Sequence, residues 1–214
     1  MTDRPDISAF LLAHAGFRTE FGRLAAVLAA PRDAAHAALI ERQVELVLAC
    51  LHHHHTDEDT TLWPRLRERF PRSVPLLDAL EEQHEAVDAD VAVLADRARP
   101  AAERAGAAAR LHAALGRHLD DEERDAVPLL LQAYTAREWT EHGREVVAGY
   151  DRRLLPALFG WLCSAGTPQL AAAALAEFPV PVRLLFRFSW WPAYRRRHHA
   201  LYGTTVRAHA GRAS

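Results

Sequence analysis

Two stretches of this 214-residue chain decide its fold: HHHHTDEDTTLWPRL at residues 52–66 and HLDDEERDAVPLL at residues 118–130. Each contains the spacing H-x-x-x-E. The two pairs are His54 with Glu58 and His118 with Glu122. Residues four apart lie one turn above another on the same face of an α-helix. Each stretch therefore places an imidazole beside a carboxylate on one helix face.

Apolar residues recur at helical spacing on both sides of these stretches, in four long segments that end before Tyr134. Short breaks separate the segments at Pro31–Asp33, at Phe70–Ser73 and at Pro100. Alanine is abundant, and no run alternates apolar and polar residues as a strand would. We predict an all-α fold. Because short connections make neighbouring helices antiparallel, residues 1–134 should form an up-down-up-down four-helix bundle, with a helical extension over 135–214 that packs on it.

Several residues are expected to begin or end these helices. Asp33 should cap the second helix and Ser73 the third. Pro64 should kink or end the second helix, because its ring clashes with the preceding turn. Beyond the bundle, Thr135 and Glu138 have the spacing of a capping box, which predicts a further helix that runs to about Val147.

The apolar stripes of all four bundle segments also carry a histidine. A single histidine on an apolar face is usually a packed core residue, whereas four histidines and two glutamates together would cost a few kcal/mol each if unpaired. A metal centre would pair them all. Imidazole and carboxylate suit iron or manganese, and a single structural zinc needs only four ligands. The predicted ligands are His14, His54, Glu58, His84, His118 and Glu122.

Residues next to these ligands leave alternatives open. His55, Asp57 and Asp88 each have three roles open to them: a seventh ligand, a hydrogen-bond partner or a solvated side chain. Glu123, Asp121 and Asp57 are candidates for the hydrogen-bond partners that hold a ligand imidazole in its tautomer.

Three residues close to His54 are assigned more simply. Cys50, one turn before His54, either faces the metals or packs as a small apolar side chain, and we favour packing. His52 and His53 are expected to be exposed.

With its six predicted ligands, the chain resembles the hemerythrin-like (HHE cation-binding) family over residues 6–133. The resemblance implies a non-haem pair of irons. It further implies that the two irons are joined by the carboxylates of Glu58 and Glu122 and by an oxo or hydroxo bridge, and that each iron takes two histidines.

The chain departs from the oxygen-carrying members of that family in two places. Those members have a second histidine one turn before the helix-3 ligand, where this chain has Leu80. They also have the pattern H-x-x-x-x-D in helix 4, where Glu123 occupies the longer spacing here. Fewer ligands leave open metal positions, which favours reaction over storage of O2.

These features lead to one functional hypothesis and one alternative. We expect a di-iron oxidoreductase that acts on hydrogen peroxide, O2 or nitric oxide, with peroxide disproportionation the most specific reaction and Glu123 as a proton shuttle. The alternative is a sensor or carrier that binds O2 or iron without turnover. The chain has no Gly-rich phosphate loop, which argues against nucleotide and flavin cofactors. The electron donor stays unassigned.

Charge is divided unevenly along the chain. Residues 151–214 contain nine arginines against Asp151 and Glu177, so their net charge is +7, and residues 1–150 carry −9 within the total of −2. The tail combines Arg195–Arg197 with aromatic residues. We favour docking of this tail on the acidic bundle over contact with a membrane surface, and we expect no nucleic acid partner.

Cysteine content and hydropathy bear on location. The two cysteines are too few for a disulfide scaffold, and the first residues lack the pattern of a signal peptide. No apolar run reaches the roughly 20 residues that span a bilayer. We therefore expect a cytoplasmic protein.

Overall fold

The computed structural model describes residues 4–204, and this part of the chain contains helices and turns without a strand. The all-α prediction is confirmed. The bundle helices and their short continuations are α1 (Ser8–Ala29), α2 (Ala34–Asp57), α3 (Trp63–Arg69), α4 (Val74–Ala95), α5 (Ala101–Asp125) and α6 (Val127–Ala133). The later helices are α7 (Ala136–Ala148), α8 (Leu155–Ala165), α9 (Pro168–Ala176), α10 (Val180–Leu185) and α11 (Trp191–Tyr202).

The four long helices form a closed ring, in which α1 contacts α2, α2 contacts α4, α4 contacts α5 and α5 contacts α1. Side-chain pairs across the ring run in opposite directions along neighbouring helices. Between α4 and α5, for example, His84 meets His118 and Asp90 meets Arg110. The same reversal holds between α1 and α5, where residue 14 meets residue 123 and residue 18 meets residue 120. The long helices are therefore antiparallel to their neighbours.

The apolar core of the bundle is divided into two clusters. One contains Phe17, Phe21, Val47, Val87 and Leu111 among its fully packed members. The other contains Leu62, Trp63, Leu77, Leu80 and Leu130. On α2, α4 and α5 the predicted ligands lie in sequence between members of the two clusters. A polar layer thus separates two apolar layers, each of which supports it.

The helix starts show which predicted caps form. Asp33 accepts a hydrogen bond from the backbone N–H of His36 (2.7 Å), and Thr135 with Glu138 forms the predicted capping box. Both predictions are confirmed. The prediction for Ser73 is wrong, because its hydroxyl donates to the carbonyl of Phe70 (2.8 Å) instead of accepting an N–H from α4.

The second helix passes Pro64 without ending there. Residues Glu58–Leu62 form a π turn, in which the N–H of Trp63 donates to the carbonyl of Glu58, and α3 continues to Arg69. Proline removes one backbone donor and crowds the preceding turn, and the wider π turn accommodates both effects. A second π turn, Phe186–Trp190, also lies immediately before a Trp-Pro pair.

The extension helices pack on the bundle. Helices α8 and α9 contact α1, and α11 contacts both α2 and α8. Arg197 donates to the side-chain oxygen of Gln43 (2.9 Å), whose amide in turn donates to the buried carboxylate of Glu20 (2.6 Å). The hydroxyl of Tyr202 donates to the same carboxylate. This network supplies hydrogen bonds to a carboxyl group whose burial would otherwise be costly.

Helices α8 and α11 pack closely at Gly160, and a larger residue there should reduce the stability of the fold. A Cβ added at Gly160 would lie 2.4 Å from the Cβ of Tyr194. Because this neighbour sits next to backbone, Gly160→Ala should destabilise the fold by about 1–3 kcal/mol. Gly116→Ala in α5 is the matched control, since an added Cβ there meets nothing within 4 Å and helix propensity gains up to about 1 kcal/mol. Urea unfolding of both variants tests this, and equal responses would contradict it.

No helix among residues 4–204 is both long enough and apolar enough to span a membrane.

Candidate metal centre

All six predicted ligands are brought together inside the helix ring. The bundle helices α1, α2, α4 and α5 each supply one of the predicted histidines, Glu122 lies on α5, and Glu58 is the first residue of the π turn after α2. The side chains of His14, Glu58 and Glu122 are fully buried. The six residues therefore form a single polar cluster rather than separate core positions.

The cluster divides into two adjacent groups of donor atoms. One group is His14, His54, Glu58 and Glu122, and the other is His55, Glu58, His84 and His118. Within each group the donor atoms lie within 4.8 Å of one another. Each group has the size and composition of a site for one metal ion.

The two carboxylates lie between the groups. Glu58 Oε1 is 3.0 Å from the Nε2 atom of His54, while its Oε2 is 3.5 Å from the Nε2 atom of His84. Oε2 of Glu122 is 3.5 Å from Nε2 of His14 and 3.6 Å from Nε2 of His118. Each carboxylate therefore lies within 3.6 Å of a histidine from each group.

Among residues 4–204, seven buried atoms of this cluster have no hydrogen-bond partner in suitable geometry, although some of them lie close together. They are both carboxylate oxygens of Glu58, both of Glu122, and Nε2 of His14, His54 and His55. Unpartnered buried polar atoms are rare because each costs on the order of 1–3 kcal/mol. Since these atoms face one another, cations placed among them would satisfy all seven, and the residues fit a metal centre.

The outer nitrogens of three histidines are held by hydrogen bonds. Nδ1 of His14 donates to Glu123 (2.8 Å), Nδ1 of His84 to Asp59 (2.9 Å) and Nδ1 of His118 to the side-chain oxygen of Gln83 (3.0 Å). Each bond fixes the proton on Nδ1 and leaves Nε2 facing inward, as a ligand requires.

These partners match the sequence predictions only in part. Glu123 contacts the ligand histidine His14, which is one of the roles predicted for it. Asp121 contacts no ligand histidine directly but accepts a hydrogen bond from Gln83 (3.3 Å), the partner of His118. Asp57 instead accepts from His142 of α7 (2.9 Å). Sequence reasoning missed Asp59 and Gln83. Their only signal was adjacency to Glu58 and His84.

His55 is the neighbour that the structure adds to the centre. Its ring stacks on that of His84, with centroids 3.9 Å apart and planes 6° from parallel, and it belongs to the second donor group. Asp88 is exposed on the wall of a nearby cleft. His52 is exposed as predicted, but the prediction for His53 is wrong, since that ring is half-buried against Tyr150 and donates to the carbonyl of Val146.

Burial controls the protonation of the cluster. Burial, with the neighbouring histidines, lowers the pKa of His54 and of His55 well below the ordinary value, and it lowers the pKa of His118 to about 3. Burial and repulsion from Glu122 raise the pKa of Glu58 well above its ordinary value. Neutral imidazoles are the form that binds metal, and a cation would offset the cost of ionising the carboxyls.

Two openings lead to the cluster from opposite sides of α2. A cleft of about 250 Å³ between α2 and α4 reaches His55 and His84, and acidic side chains line it. A cavity of about 140 Å³ lies between α1, α2, α7 and α8 and reaches His54. Cys50 lines this cavity and accepts from the hydroxyl of Tyr150 (3.4 Å), so the thiol lies outside both donor groups.

A four-helix bundle whose core holds histidines and shared carboxylates in two donor groups defines the class of helical bundle proteins with a candidate metal site. The profile of the Hemerythrin HHE cation binding domain matches residues 6–130. The chain belongs to this family. The match ends within α6, so α7 and the later helices lie outside it. No curated protein and no solved structure matches the chain.

Proposed function

We propose that this protein holds two iron ions and reacts with a small oxidant: hydrogen peroxide, O2 or nitric oxide. The observation that carries the proposal is the set of seven unpartnered donor atoms, arranged in two groups that share Glu58. His14 and His54 would bind one ion, and the histidines of the second group the other. When bound, an iron pair supplies redox chemistry at neighbouring open positions.

The residues around the ligands would keep this centre in one geometry. Glu123 holds His14 and is itself held by the guanidinium of Arg18 (2.6 Å). Although partial burial opposes ionisation, the hydrogen bonds from these two residues lower the pKa of Glu123. An ionised, doubly bonded carboxylate is suited to positioning, and its role as a proton shuttle stays a prediction.

The cavity between the bundle and the extension would admit a neutral oxidant. Its walls are mainly apolar. Asp57 pairs with His142, Cys50 with Tyr150 and His53 with the carbonyl of Val146, while His54 belongs to the first donor group. Water needs two to four polar partners to be held in such a space, so the cavity favours small uncharged molecules. Because it ends at His54, an occupant would lie next to the first donor group.

Filling this cavity should slow the reaction without removing metal. Gly143 lines the cavity, and a Cβ added there meets nothing within 4 Å, so Gly143→Leu places a side chain in open space. We expect at least a severalfold lower rate of oxidant consumption at unchanged iron content. Gly143→Ala controls for the change in helix propensity. Equal rates in both variants would show that the oxidant enters by the other cleft.

The proposed function is tested by elemental analysis of the full chain together with its visible spectrum before and after peroxide is added. About two irons per chain, and a spectrum that peroxide changes and that then recovers as oxygen is released, are expected for peroxide disproportionation. A stable spectral change without gas would favour the sensor or carrier alternative. One zinc per chain, or no metal after anaerobic loading with ferrous iron, would overturn the di-iron proposal.

A further inference from the structure

The helix formed by α10 and the π turn after it presents large apolar side chains to solvent. The most exposed is Phe188, at 71%. Single exposed apolar residues are common on proteins, but several on one short segment indicate a contact surface. We call this surface the apolar face, and its members are Val180, Leu184, Leu185 and Phe188.

Arginines are interspersed with the apolar face. Arg183 and Arg187 are exposed on the same segment, and Arg195 and Arg196 are exposed further along on α11. Within residues 4–204, none of these four has a carboxylate within 4.0 Å, whereas Arg67, Arg110 and Arg124 of the bundle each form such ion pairs. Arg183 and Arg187 therefore place positive charge beside the apolar face, and no carboxylate among residues 4–204 pairs with it.

The opposite side of the same helix is firmly attached to the protein. Phe186 is buried against Trp191 of the following helix, α11, whose Tyr194 and Leu201 are almost completely buried. The tail is thus divided: its inward aromatic residues are buried, while the apolar face points outward. A rigid, outward-facing surface loses little entropy when it binds a partner.

We propose that the apolar face binds the surface of an anionic lipid bilayer. The segment would lie in the plane of the interface, with Leu184 and Phe188 among the upper acyl chains. The arginines would extend to the lipid phosphates, since their long stems allow apolar and charged parts to lie at different depths. Each basic residue near an anionic membrane strengthens binding severalfold, and apolar insertion adds to it.

Two other occupants fit the observations less well. In a symmetric dimer built on this face, Arg183 and Arg187 of one copy would meet the same residues of the other, and like charges would repel. The bundle of a second copy is acidic, but several of its exposed carboxylates, such as Asp78 and Asp120, already pair with arginines. A bilayer offers both the apolar depth and the unpaired anions that the face requires.

The test is co-sedimentation of the full-length protein with vesicles of phosphatidylglycerol and phosphatidylcholine, compared with vesicles of phosphatidylcholine alone. We expect binding to the anionic vesicles that weakens with salt. The double variant Leu184→Ser/Phe188→Ser should reduce binding on the order of tenfold, because it removes the inserted side chains. Arg183→Gln/Arg187→Gln should have an effect of similar size.

The matched control is Arg152→Gln/Arg153→Gln, which removes the same charge from an exposed turn away from the apolar face. It should bind like the unchanged protein. Equal loss in this control would indicate unspecific attraction and overturn the proposal. So would the absence of sedimentation with anionic vesicles, or a dimer in light scattering that Phe188→Ser dissociates. Helical content from circular dichroism shows that each variant is folded.

Discussion

Replacing Glu58 with glutamine should reduce bound metal from the two ions per chain proposed above to less than one. Glu58 belongs to both donor groups, and each of its oxygens faces a histidine of a different group. Glutamine has a similar shape but offers only one acceptor oxygen and no charge. The metal-free protein should not lose stability, because burial already raises the pKa of Glu58 and favours its neutral form.

Two measurements separate this effect from misfolding. Elemental analysis gives the metal content, and thermal unfolding with and without iron gives the stabilisation due to binding, which should disappear in the variant. Glu82→Gln, an exposed position on α4, is the control and should retain its metal. Two ions per chain in Glu58→Gln would refute the proposal that both ions depend on this carboxylate.

Replacing Trp161 with alanine should destabilise the fold by about 3–5 kcal/mol. Trp161 lies on α8, is fully buried, and packs edge-on against Phe17 of α1 with ring centroids 5.8 Å apart. Its ring also fills the space above Gly16, where an added Cβ would lie 3.0 Å from it. Removing it leaves a cavity between the extension and the bundle, which the surrounding helices cannot fully close.

Chemical unfolding followed by circular dichroism measures this loss, with Phe188→Ala as the control for an exposed aromatic residue, expected within about 0.5 kcal/mol of the parent. A single transition at lower denaturant would show that residues 1–134 and 135–214 unfold together. Two transitions, only one of them shifted, would instead support separate units. A loss below 1 kcal/mol would contradict the packing role of Trp161.

The predicted site residues were accessible from sequence because their signals are local. His54 with Glu58, and His118 with Glu122, share a helix face by spacing alone, and His14 and His84 lie on apolar stripes whose inward direction the surrounding residues set. The caps formed by Asp33 and by Thr135 with Glu138 are local for the same reason.

The residues that sequence reasoning missed depend on contacts between helices. Asp59 and Gln83 hold ligand histidines that lie on other helices: Asp59 contacts His84, and Gln83 contacts His118. Helical spacing along one segment therefore does not mark either residue. His55 stood among three open candidates until its stacking on His84 placed it in the second donor group. His53 is half-buried only because α7 and Tyr150 cover it.

The sequence by itself determined the helices, their inward faces and the composition of the polar layer, because backbone geometry repeats every 3.6 residues wherever the chain is helical. Only the tertiary structure decided how the donors divide into two groups, which partner holds each imidazole, and which side of the tail faces solvent. These features depend on the axial register and rotation of one helix against another. Packing over the whole core sets both, and no single stretch of sequence encodes them.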